Sequence, residues 1–588
     1  MNHENTRRYE WNTIPWRTLE VRVFKLQRRI YQATTRGDTQ KARKLQKLLA
    51  TSWSAKCLAV RRVTQENKGK KTAGVDGIKA LTPPQRLHLI SALDLHTPAT
   101  PVRRVWIPKP GTPDKRPLGI PILHDRAAQG LVKLALEPEW EAQFEANSFG
   151  FRPGRSCHDA IEQIFHAISQ APRYVLDADI AHCCDRINHE ALLEKIQTSP
   201  YFARPIKAWL KAGLVESGIF MPTQAGTPQG GIASPLLANI ALHGLERVVK
   251  QANGLERLRI NGKQVVRKAQ CIRYADDFVV FHPTWDGIQR CKEAIQEWLH
   301  DMGLELKEAK TRFAHTLESK EECNYNVGFD FLGFTIRQFP VGKHQSKSHK
   351  SFKTIITPSK KSFKEHYKAI AEVIDTKKAS TVDEVINRLN PAIIGWSNYY
   401  STVVSSAIFQ QLDFLLRRKM YCWAKRKHPN KGKRWVFNRY FKPAKERKRY
   451  DIKGKTRTLK QYSDTPIIRH QALRTGVSPY DGNWSYWAAR RGKYPGITTT
   501  QGKLLKHQQG RCSYCRLIFR MEDKIELHHR DGNRQNTTWK NLTMVHLHCH
   551  DAIHGASTHD KSDIAEEPYA GKLARTVLKT REGSDSLS

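Results

Sequence analysis

The chain of 588 residues is long enough for about three or four domains, and its hydrophobic content of 39% supplies side chains for packed cores. It carries 99 lysines and arginines against 56 acidic residues, so its formal net charge is +43, and the excess is spread along the chain. We therefore expect a partner with a dense negative backbone. Its 11 cysteines in 588 residues exclude a disulfide-stapled module.

The sequence predicts neither membrane insertion nor export. No apolar run approaches the roughly 20 residues that span a bilayer. The start, MNHENTRRYEW, lacks an apolar segment and carries Glu4 and Glu10, unlike signal and transit peptides. We expect a cytoplasmic protein, of bacterial rather than organellar origin, with no membrane partner.

The N-terminal region, residues 1–70, is predicted to form basic amphipathic helices. Leu19, Val23, Leu26 and Ile30 follow one another at spacings of four and three, among arginines and lysines. Two interpretations stay open for these helices: an extension that contacts RNA, or helices with an ordinary solvated face.

Residues 71–340 have the pattern of a mixed α/β domain, and two stretches in it carry pairs of acids. In YVLDADI, residues 174–180, strand alternation puts Asp177 and Asp179 on one face. In RYADDFVVFH, residues 273–282, Asp276 and Asp277 precede an apolar run. Carboxylates from two strands can hold two Mg²⁺ ions about 4 Å apart, the arrangement that nucleotidyl transfer uses. A chance pair of surface acids is the alternative interpretation of YADD alone.

Residues 341–475 are predicted to be helical, and a basic segment lies near the end of this region. Residues 425–460 hold 16 lysines and arginines and two acids, with five aromatic residues between them. Cations bind phosphate while rings stack on unpaired bases, so the segment predicts nucleic-acid contact. The aromatic residues are Trp435, Phe437, Tyr440, Phe441 and Tyr450.

Residues 509–556 contain two pairs with metal-ligand spacing, Cys512-x-x-Cys515 and His546-x-x-Cys549. Together they offer a ligand set suited to one tetrahedral, structural Zn²⁺, and the alternative is a coincidence of unrelated thiols. The preceding residues 476–508 mix aromatics with Arg and Lys and are predicted to be a linker that contacts DNA. Residues 557–588 are predicted to be a weakly ordered tail.

From about Lys71 to His554 the sequence resembles the reverse transcriptases encoded by group II introns. The stretches that carry the resemblance occur in the family's order: RRVWIPKPGTPDKRPLGIPILHDRAAQ, NSFGFRPGRSCHDAI, VLDADIAHCCDRINH, AGTPQGGIASPLLANI, RYADDFVVF, GLELKEAKT, GFDFLGF and NPAIIGWSNYY. The resemblance implies a multidomain α/β plus α fold. Its parts would be a right-hand polymerase with fingers and palm in 71–340, an α-helical thumb and maturase domain in 341–475, and a C-terminal zinc-containing HNH nuclease of the ββα-metal type in 509–556.

The resemblance also implies roles for single residues of the polymerase. Asp179, Asp276 and Asp277 would be the catalytic carboxylates that bind two Mg²⁺ ions. If the adjacent pair occupies a turn, strand alternation puts Asp277 on the side opposite Asp276, so we expect Asp276 to be the more direct ligand. The implied substrate contacts are Lys109 and Arg116 on the triphosphate, Gln229 and Gly230 beside the nascent base pair, and Lys310 as a proton donor to pyrophosphate. Cys184 stands where the family usually has an aromatic residue on the sugar, which predicts weaker exclusion of ribonucleotides or poorer dNTP binding.

The histidines outside the zinc set resemble those of an HNH nuclease. In that resemblance His529 is the general base that activates water, and Asn541 fixes the loop that orients it. His528, His550 and His554 would hold one Mg²⁺ or similar ion, and the last two, four residues apart, share a helix face. A structural zinc knuckle that only binds DNA is the alternative.

These expectations together describe a multifunctional intron-encoded protein. It would be an RNA-directed DNA polymerase, a maturase that binds its intron RNA, and a DNA endonuclease, acting on target DNA with dNTPs in target-primed reverse transcription and intron mobility. A maturase with impaired polymerase activity is one rival hypothesis. An RNA-dependent RNA polymerase is another, but it would leave the maturase and nuclease regions unexplained.

Overall fold

The computed structural model describes residues 10–108, 115–252, 256–260, 263–267, 269–342, 351–443, 450–492, 497–520, 523–533 and 535–554. Two parts of the sequence-based predictions, Lys109 and the tail at 557–588, lie outside these ranges. Within them, no helix is long and apolar enough to cross a membrane.

The N-terminal helices belong to the main core of the protein. They are α1 (Trp16–Thr35), α2 (Thr39–Thr51), α3 (Trp53–Arg61) and α4 (Pro83–Ala92). The predicted periodicity buries Leu19, Val23 and Ile30 in that core, against α5 of the next region. The helical region extends past the predicted boundary at residue 70, because α4 packs on α3.

The polymerase region alternates short strands and helices. Its elements are β1 (Val102–Pro108), β2 (Lys115–Ile120), α5 (Leu123–Gln143), α6 (Cys157–Ile168), β3 (Tyr174–Asp179), α7 (Cys183–Arg186), α8 (His189–Ile196), α9 (Pro200–Lys211), β4 (Leu214–Glu216), β5 (Ile219–Met221), α10 (Ser234–Ala241), α11 (Leu245–Gln251), β6 (Glu256–Ile260), β7 (Lys263–Arg267), β8 (Gln270–Tyr274), β9 (Asp277–His282), α12 (Trp285–Asp301) and β10 (Arg312–His315). One sheet has the strand order β2-β1-β4-β5, and a second has the order β10-β3-β9-β8. The second sheet carries both acidic stretches.

The β10-β3-β9-β8 sheet, called the palm sheet from here on, is covered on both faces. Leu176 and Ala178 on β3 belong to the core that includes the N-terminal helices. Val175 on β3 and Val279 on β9 belong to a second core that continues into the following helical region. The alternation predicted for YVLDADI therefore holds, and Asp177 and Asp179 lie on the Val175 face.

The third region begins with a sheet and continues as a helical bundle. Its elements are β11 (Phe329–Phe331), β12 (Phe334–Pro340), β13 (Phe352–Pro358), α13 (Lys360–Thr376), α14 (Val382–Tyr400), α15 (Ser406–Lys427), α16 (Lys433–Tyr440), β14 (Phe441–Pro443) and β15 (Tyr450–Ile452). β12 and β13 are antiparallel, and their paired positions run from Phe334 opposite Pro358 to Pro340 opposite Phe352. One sheet thus crosses the boundary that we predicted between residues 340 and 341.

The aromatic residues of the basic segment divide into two groups. Trp435 and Tyr450 are exposed, as nucleic-acid contact requires, whereas Tyr440 and Phe441 are buried in the second core. Phe437 stacks on Phe441 with ring centroids 4.8 Å apart. About half of the aromatic pattern therefore serves packing rather than an RNA surface.

The C-terminal module, residues 497–554, is a small unit around its own core. The chain reaches it through α17 (Trp484–Arg491), and it contains α18 (Thr499–His507), β16 (Ile525–His529), β17 (Leu542–His546) and α19 (Leu547–Ile553). β16 and β17 form an antiparallel hairpin that leads directly into α19. This ββα order is the one that the sequence resemblance implied.

Candidate functional sites

The two acidic stretches meet on the palm sheet. β3 and β9 are antiparallel, and Asp179 lies directly opposite Asp277. Directly opposed residues of an antiparallel pair point to the same face, so these two carboxylates share the Val175 face. Tyr274 of β8 pairs with Asp277, which leaves Ala275 and Asp276 as the turn. The strand alternation from which we ranked Asp276 above Asp277 instead turns Asp277 to the Asp179 face, so this argument for the ranking fails and the ranking stays a prediction.

A buried arginine supports this turn. The Arg273 guanidinium, 2% exposed, donates to the backbone oxygen of Ala275 at 3.0 Å, to Asn239 Oδ1 at 3.1 Å and to Ser148 Oγ at 2.7 Å. Ala275 has a φ of 57°, a left-handed conformation that costs energy for a residue with a side chain. Arg273 therefore stabilises a strained backbone that presents Asp276.

Gly150 leaves the room that the same turn needs. A Cβ on Gly150 would lie 2.3 Å from the Ala275 nitrogen. The Gly150 oxygen also accepts a hydrogen bond from Asn239 Nδ2 at 2.8 Å. Since no other residue fits there, the glycine of SFGF is required by packing against the acidic turn.

Asp179 already has a cationic partner. The Lys310 ammonium donates to Asp179 Oδ2 at 2.6 Å, and Asp179 is 6% exposed. Burial raises the pKa of Asp177, on the same face of β3, to about 7. This face of the sheet therefore disfavours ionised carboxylates unless a cation is close.

The donor set of the palm suits a hard cation. Asp179, Asp276 and Asp277 offer oxygen atoms alone, the ligands that Mg²⁺ prefers. Among the described residues, these aspartates do not form a cluster with one oxygen each within 4.8 Å of the others. Ionised carboxylates repel one another, so a bound cation would be needed to draw them together.

Two of the predicted substrate residues, Gln229 and Gly230, lie in the loop that precedes α10. The Gln229 side chain donates to the Asp185 carboxylate at 3.2 Å, and its backbone oxygen accepts from the Gly119 nitrogen at 2.7 Å. Gly230 has a φ of 125°, and a Cβ there would lie 2.7 Å from the Gly119 oxygen. The loop is thus clamped between α7 and β2.

Cys184 contacts this loop through its backbone, and Arg116 lies on β2, the strand whose Gly119 contacts the loop. The Cys184 oxygen accepts a hydrogen bond from the Thr227 nitrogen at 2.6 Å, while Cys184 itself is half-buried on α7. Arg116 is exposed on β2, opposite Ile107 in β1. The neighbouring prediction, Lys109, lies outside the described residues.

Four predicted zinc ligands come together in the C-terminal module. One atom each of Cys512, Cys515, His546 and Cys549 lies within 4.8 Å of the others, largely buried. His546 turns Nδ1 toward the sulfurs of Cys515 and Cys549, at 3.4 and 3.9 Å. Its Nε2 lies 3.5 Å from Asp523 Oδ2. Three thiols and one oriented imidazole fit a tetrahedral Zn²⁺, with the carboxylate supporting the histidine.

A second cluster in the same module consists of histidines. One nitrogen each of His528, His550 and His554 lies within 4.8 Å of the others. His550 Nδ1 is 3.1 Å from Glu526 Oε2, so a carboxylate orients this imidazole. These three residues are the ones expected to hold the second metal ion.

His529 and Asn541 flank the histidine cluster. His529 is the last residue of β16 and is half-buried, next to His528 but on the other face of the hairpin by alternation. Asn541 binds Asp531 through both ends of its side-chain amide, at 3.0 and 2.9 Å, and donates to the Asn536 oxygen at 2.8 Å. Asn541 therefore fixes the loop that follows His529, and its role in orienting His529 stays a prediction.

Three family models match successive parts of the chain. The N-terminal domain of reverse transcriptase matches residues 11–93, the reverse transcriptase (RNA-dependent DNA polymerase) model matches 107–336, and the group II intron maturase-specific domain matches 363–441. The matched ranges end before the C-terminal module.

Several proteins are similar over most of their own length. Protein YkfC of Escherichia coli (strain K12) is 31% identical over 349 residues, which cover 53% of this chain and 87% of that protein. The group II intron-encoded protein LtrA of Lactococcus lactis subsp. cremoris is 28% identical over 416 residues, covering 59% of this chain and 68% of LtrA. Maturase-like protein 1 of Euglena gracilis is 26% identical over 393 residues, which cover 64% of this chain and 74% of that protein. The chain belongs to the group II intron reverse transcriptase and maturase family.

This group II intron reverse transcriptase therefore has a polymerase domain of mixed α/β content and a maturase domain. The resemblance inferred from its motifs is confirmed for these two regions. The polymerase is RNA-directed and makes DNA, and the maturase domain implies binding of intron RNA. Its family normally uses Mg²⁺, which the oxygen-only donor set of the palm suits.

Sequence reasoning missed the residues that support the reverse transcriptase palm. Arg273, Asn239 and Gly150 lie at least 34 positions from one another in the sequence, and only the fold brings them together. Of the three, only Arg273 stands inside an acidic motif. Arg273 directly precedes Tyr274 and the acidic pair, and this position was the available signal. A guanidinium that is buried in such a strand must find several hydrogen-bond acceptors. The identity of those acceptors depends on long-range packing.

Proposed function

We propose that the protein combines reverse transcription, intron RNA maturation and site-specific DNA cleavage in one target-primed reaction. The polymerase and maturase domains supply the first two activities. The observation that carries the third is the cluster of His528, His550 and His554 in a ββα unit, with His529 adjacent in β16. A knuckle that only bound DNA would need the Cys and His zinc set but no second histidine cluster.

In the proposed polymerase reaction, Asp179, Asp276 and Asp277 would hold Mg²⁺, which would supply Lewis-acid activation for nucleotidyl transfer. The chain's own contribution is positional. Arg273 and Gly150 hold the turn of Asp276, and the register of β3 and β9 holds Asp179 beside Asp277. Lys310 Nζ lies 2.6 Å from Asp179 Oδ2, so its ammonium stands beside a proposed metal ligand, which supports its role as proton donor.

In the proposed nuclease reaction, His529 accepts a proton from the attacking water. Histidine is the usual general base near neutral pH. The loop held by Asn541 keeps the end of β16 in place, and the three clustered histidines would hold the ion that neutralises charge at the scissile phosphate. The nick then provides the 3′ end from which the polymerase starts.

One assay tests both activities. The protein, bound to its intron RNA, would be given target DNA labelled on either strand, with Mg²⁺ and dNTPs. We expect the wild type to nick one strand and extend the new end. Asp276→Asn should nick without extending, and His529→Ala should extend a supplied primer without nicking. Nicking at the wild-type rate by His529→Ala would overturn the nuclease assignment, and cDNA synthesis by Asp276→Asn would overturn the polymerase site.

The second candidate is a maturase whose polymerase activity is impaired. Cys184 favours it, because a small side chain replaces the aromatic residue that the family usually has beside the sugar. Primer extension on an RNA template, with and without Mg²⁺, separates the two. Extension that depends on Mg²⁺ supports the polymerase, and splicing without extension supports the impaired maturase.

A further inference from the structure

The C-terminal module is bonded to the N-terminal helices, more than 400 residues away in sequence. Glu20 on α1 is 8% exposed and accepts hydrogen bonds from the Ile518 nitrogen at 2.9 Å and from the Arg511 guanidinium at 2.7 Å. Leu517 of the module belongs to the same core as α1. These contacts join the zinc-ligand loop to the polymerase body.

A second contact leads to the zinc ligands themselves. Arg62, in the π-helical turn that follows α3, donates to Asp523 Oδ1 at 3.2 Å. The other oxygen of Asp523 lies 3.5 Å from His546 Nε2, and His546 Nδ1 faces the thiols. The carboxylate thus bridges an arginine of one domain and a metal ligand of another.

The bridge is largely buried and internally paired. The side chains of Arg62 and Asp523 are 19% and 12% exposed. Glu66 binds Arg61 at 3.1 Å and Arg62 at 3.3 Å, and Arg61 lies over the Trp16 ring and contacts His548 at 3.3 Å. In a largely buried site, charge-assisted hydrogen bonds are strong and fix side-chain orientation.

We infer that Arg62 is a positioning residue of the zinc site. It orients Asp523, which holds His546 with Nδ1 toward the metal, so zinc retention and docking of the C-terminal module on the N-terminal helices are coupled. The inference rests on the proposed zinc site. It does not depend on nuclease activity, because it concerns the structural metal alone.

Zinc release from the full-length protein tests the coupling. A chelator would be added to the zinc-loaded protein, and released metal followed with a metal-sensitive dye. Loss of a group bonded directly to a metal ligand usually lowers metal affinity about 10- to 100-fold; because Arg62 acts through Asp523, we expect release from Arg62→Gln to be faster by about the lower factor, tenfold. The matched control is Arg22→Gln, an exposed arginine on α1, which should release zinc at the wild-type rate.

Release from Arg62→Gln at the wild-type rate would overturn the inference. Wild-type protein that holds no zinc would overturn the zinc site as well, whereas nicking by His529→Ala would overturn only the nuclease. A measurement on the unsubstituted chain avoids dependence on how the variant folds. Hydrogen exchange with and without zinc should be faster without it at Ile518 and at residues 62–66, and unchanged in β9; equal exchange at 62–66 in the two states would contradict the coupling.

Discussion

The palm sheet and the C-terminal module hold their functional side chains by different means. In the palm, backbone pairing fixes Asp179 beside Asp277 and the buried Arg273 holds the turn, but Asp179, Asp276 and Asp277 do not form a three-ligand cluster among the described residues. In the module, two groups of potential ligand atoms lie within 4.8 Å of one another in a unit with a small core. Ionised carboxylates repel one another, whereas neutral imidazoles and thiols do not. Potential ligands can therefore gather in the module without a cation, while those of the palm need one.

Loss of zinc should show the largest difference between these regions. Cys512→Ser removes a fully buried thiol from the proposed zinc site, and a structural zinc contributes about 10 kcal/mol or more of apparent binding free energy in small zinc modules. We expect DNA nicking to disappear and extension of a supplied primer to persist, measured on the same preparation. Cys422→Ser, at an exposed position on α15, is the control and should keep both activities. Full nicking by Cys512→Ser would show that the module is not held by its metal.

Arg273 tests whether packing rather than metal holds the palm. Arg273→Met leaves the Ala275 oxygen and Asn239 Oδ1 buried without this donor, at a cost of about 1–3 kcal/mol for each unsatisfied group. We expect the local stability of β8 and β9, measured by hydrogen exchange, to fall by about 2–4 kcal/mol even with saturating Mg²⁺. Arg22→Met, at an exposed position, should change it little. Rescue of the variant by Mg²⁺ would mean that the cations, not the arginine, organise the turn.

Cys184 tests how tightly the palm fits its substrate. Cys184→Phe would restore an aromatic ring beside the sugar, and a contact of this size is worth about tenfold in selectivity. We expect the preference for dNTP over rNTP, measured as the ratio of incorporation efficiencies, to rise by about that factor. Cys184→Ala should leave the ratio near the wild-type value. Discrimination in the wild type that equals or exceeds that of the phenylalanine variant would refute the steric explanation.

The smallest expected effect is on the acid stability of the polymerase body. Burial and the nearby cations Lys195, Arg273 and Arg247 lower the pKa of His243 to about 4, against an ordinary value of about 6.5. Above about pH 6.5 a histidine with a lowered folded-state pKa is neutral in both the folded and the unfolded protein. As pH falls from about 6.5 toward 4, the unfolded protein takes up the proton first, so the free energy of unfolding decreases. Because His243 is partly exposed, we expect a loss of about 1 kcal/mol at pH 5.

Hydrogen exchange in α10 and β8 between pH 7 and pH 5 would measure that loss. His243→Gln cannot take up the proton, so its stability should vary less with pH over this range. A pH dependence that is the same in the variant and the wild type would assign the effect to other groups.

Much of the palm could be predicted from the sequence, because its signals are local. The two-residue alternation of YVLDADI placed Asp177 and Asp179 on one face, and the apolar run after Asp277 predicted a strand. The register of that strand against β3 could not be read, although it decides that Asp277 shares the face of Asp179. Register depends on which strands pair, and no single stretch carries that information.

The module shows the same division. Short spacings such as Cys512 to Cys515 grouped its ligands correctly into two clusters, while their roles stay predictions. The docking of the module on Glu20 and Arg62 could not be predicted from the sequence, because these partners are 461 or more residues away along the chain. The predicted boundaries at residues 70 and 340 differ from the structure for a related reason: α4 and β13 each continue the packing of the preceding region.

The pairing of β12 with β13 limits where the third region can bend. Seven paired positions join these strands, and Tyr400 on α14 donates to the Gly333 oxygen at 3.1 Å beside them. A ladder of this length resists hinge bending, unlike a flexible linker. The β12–β13 sheet and α14 therefore move as one unit, and bending between them would break backbone hydrogen bonds.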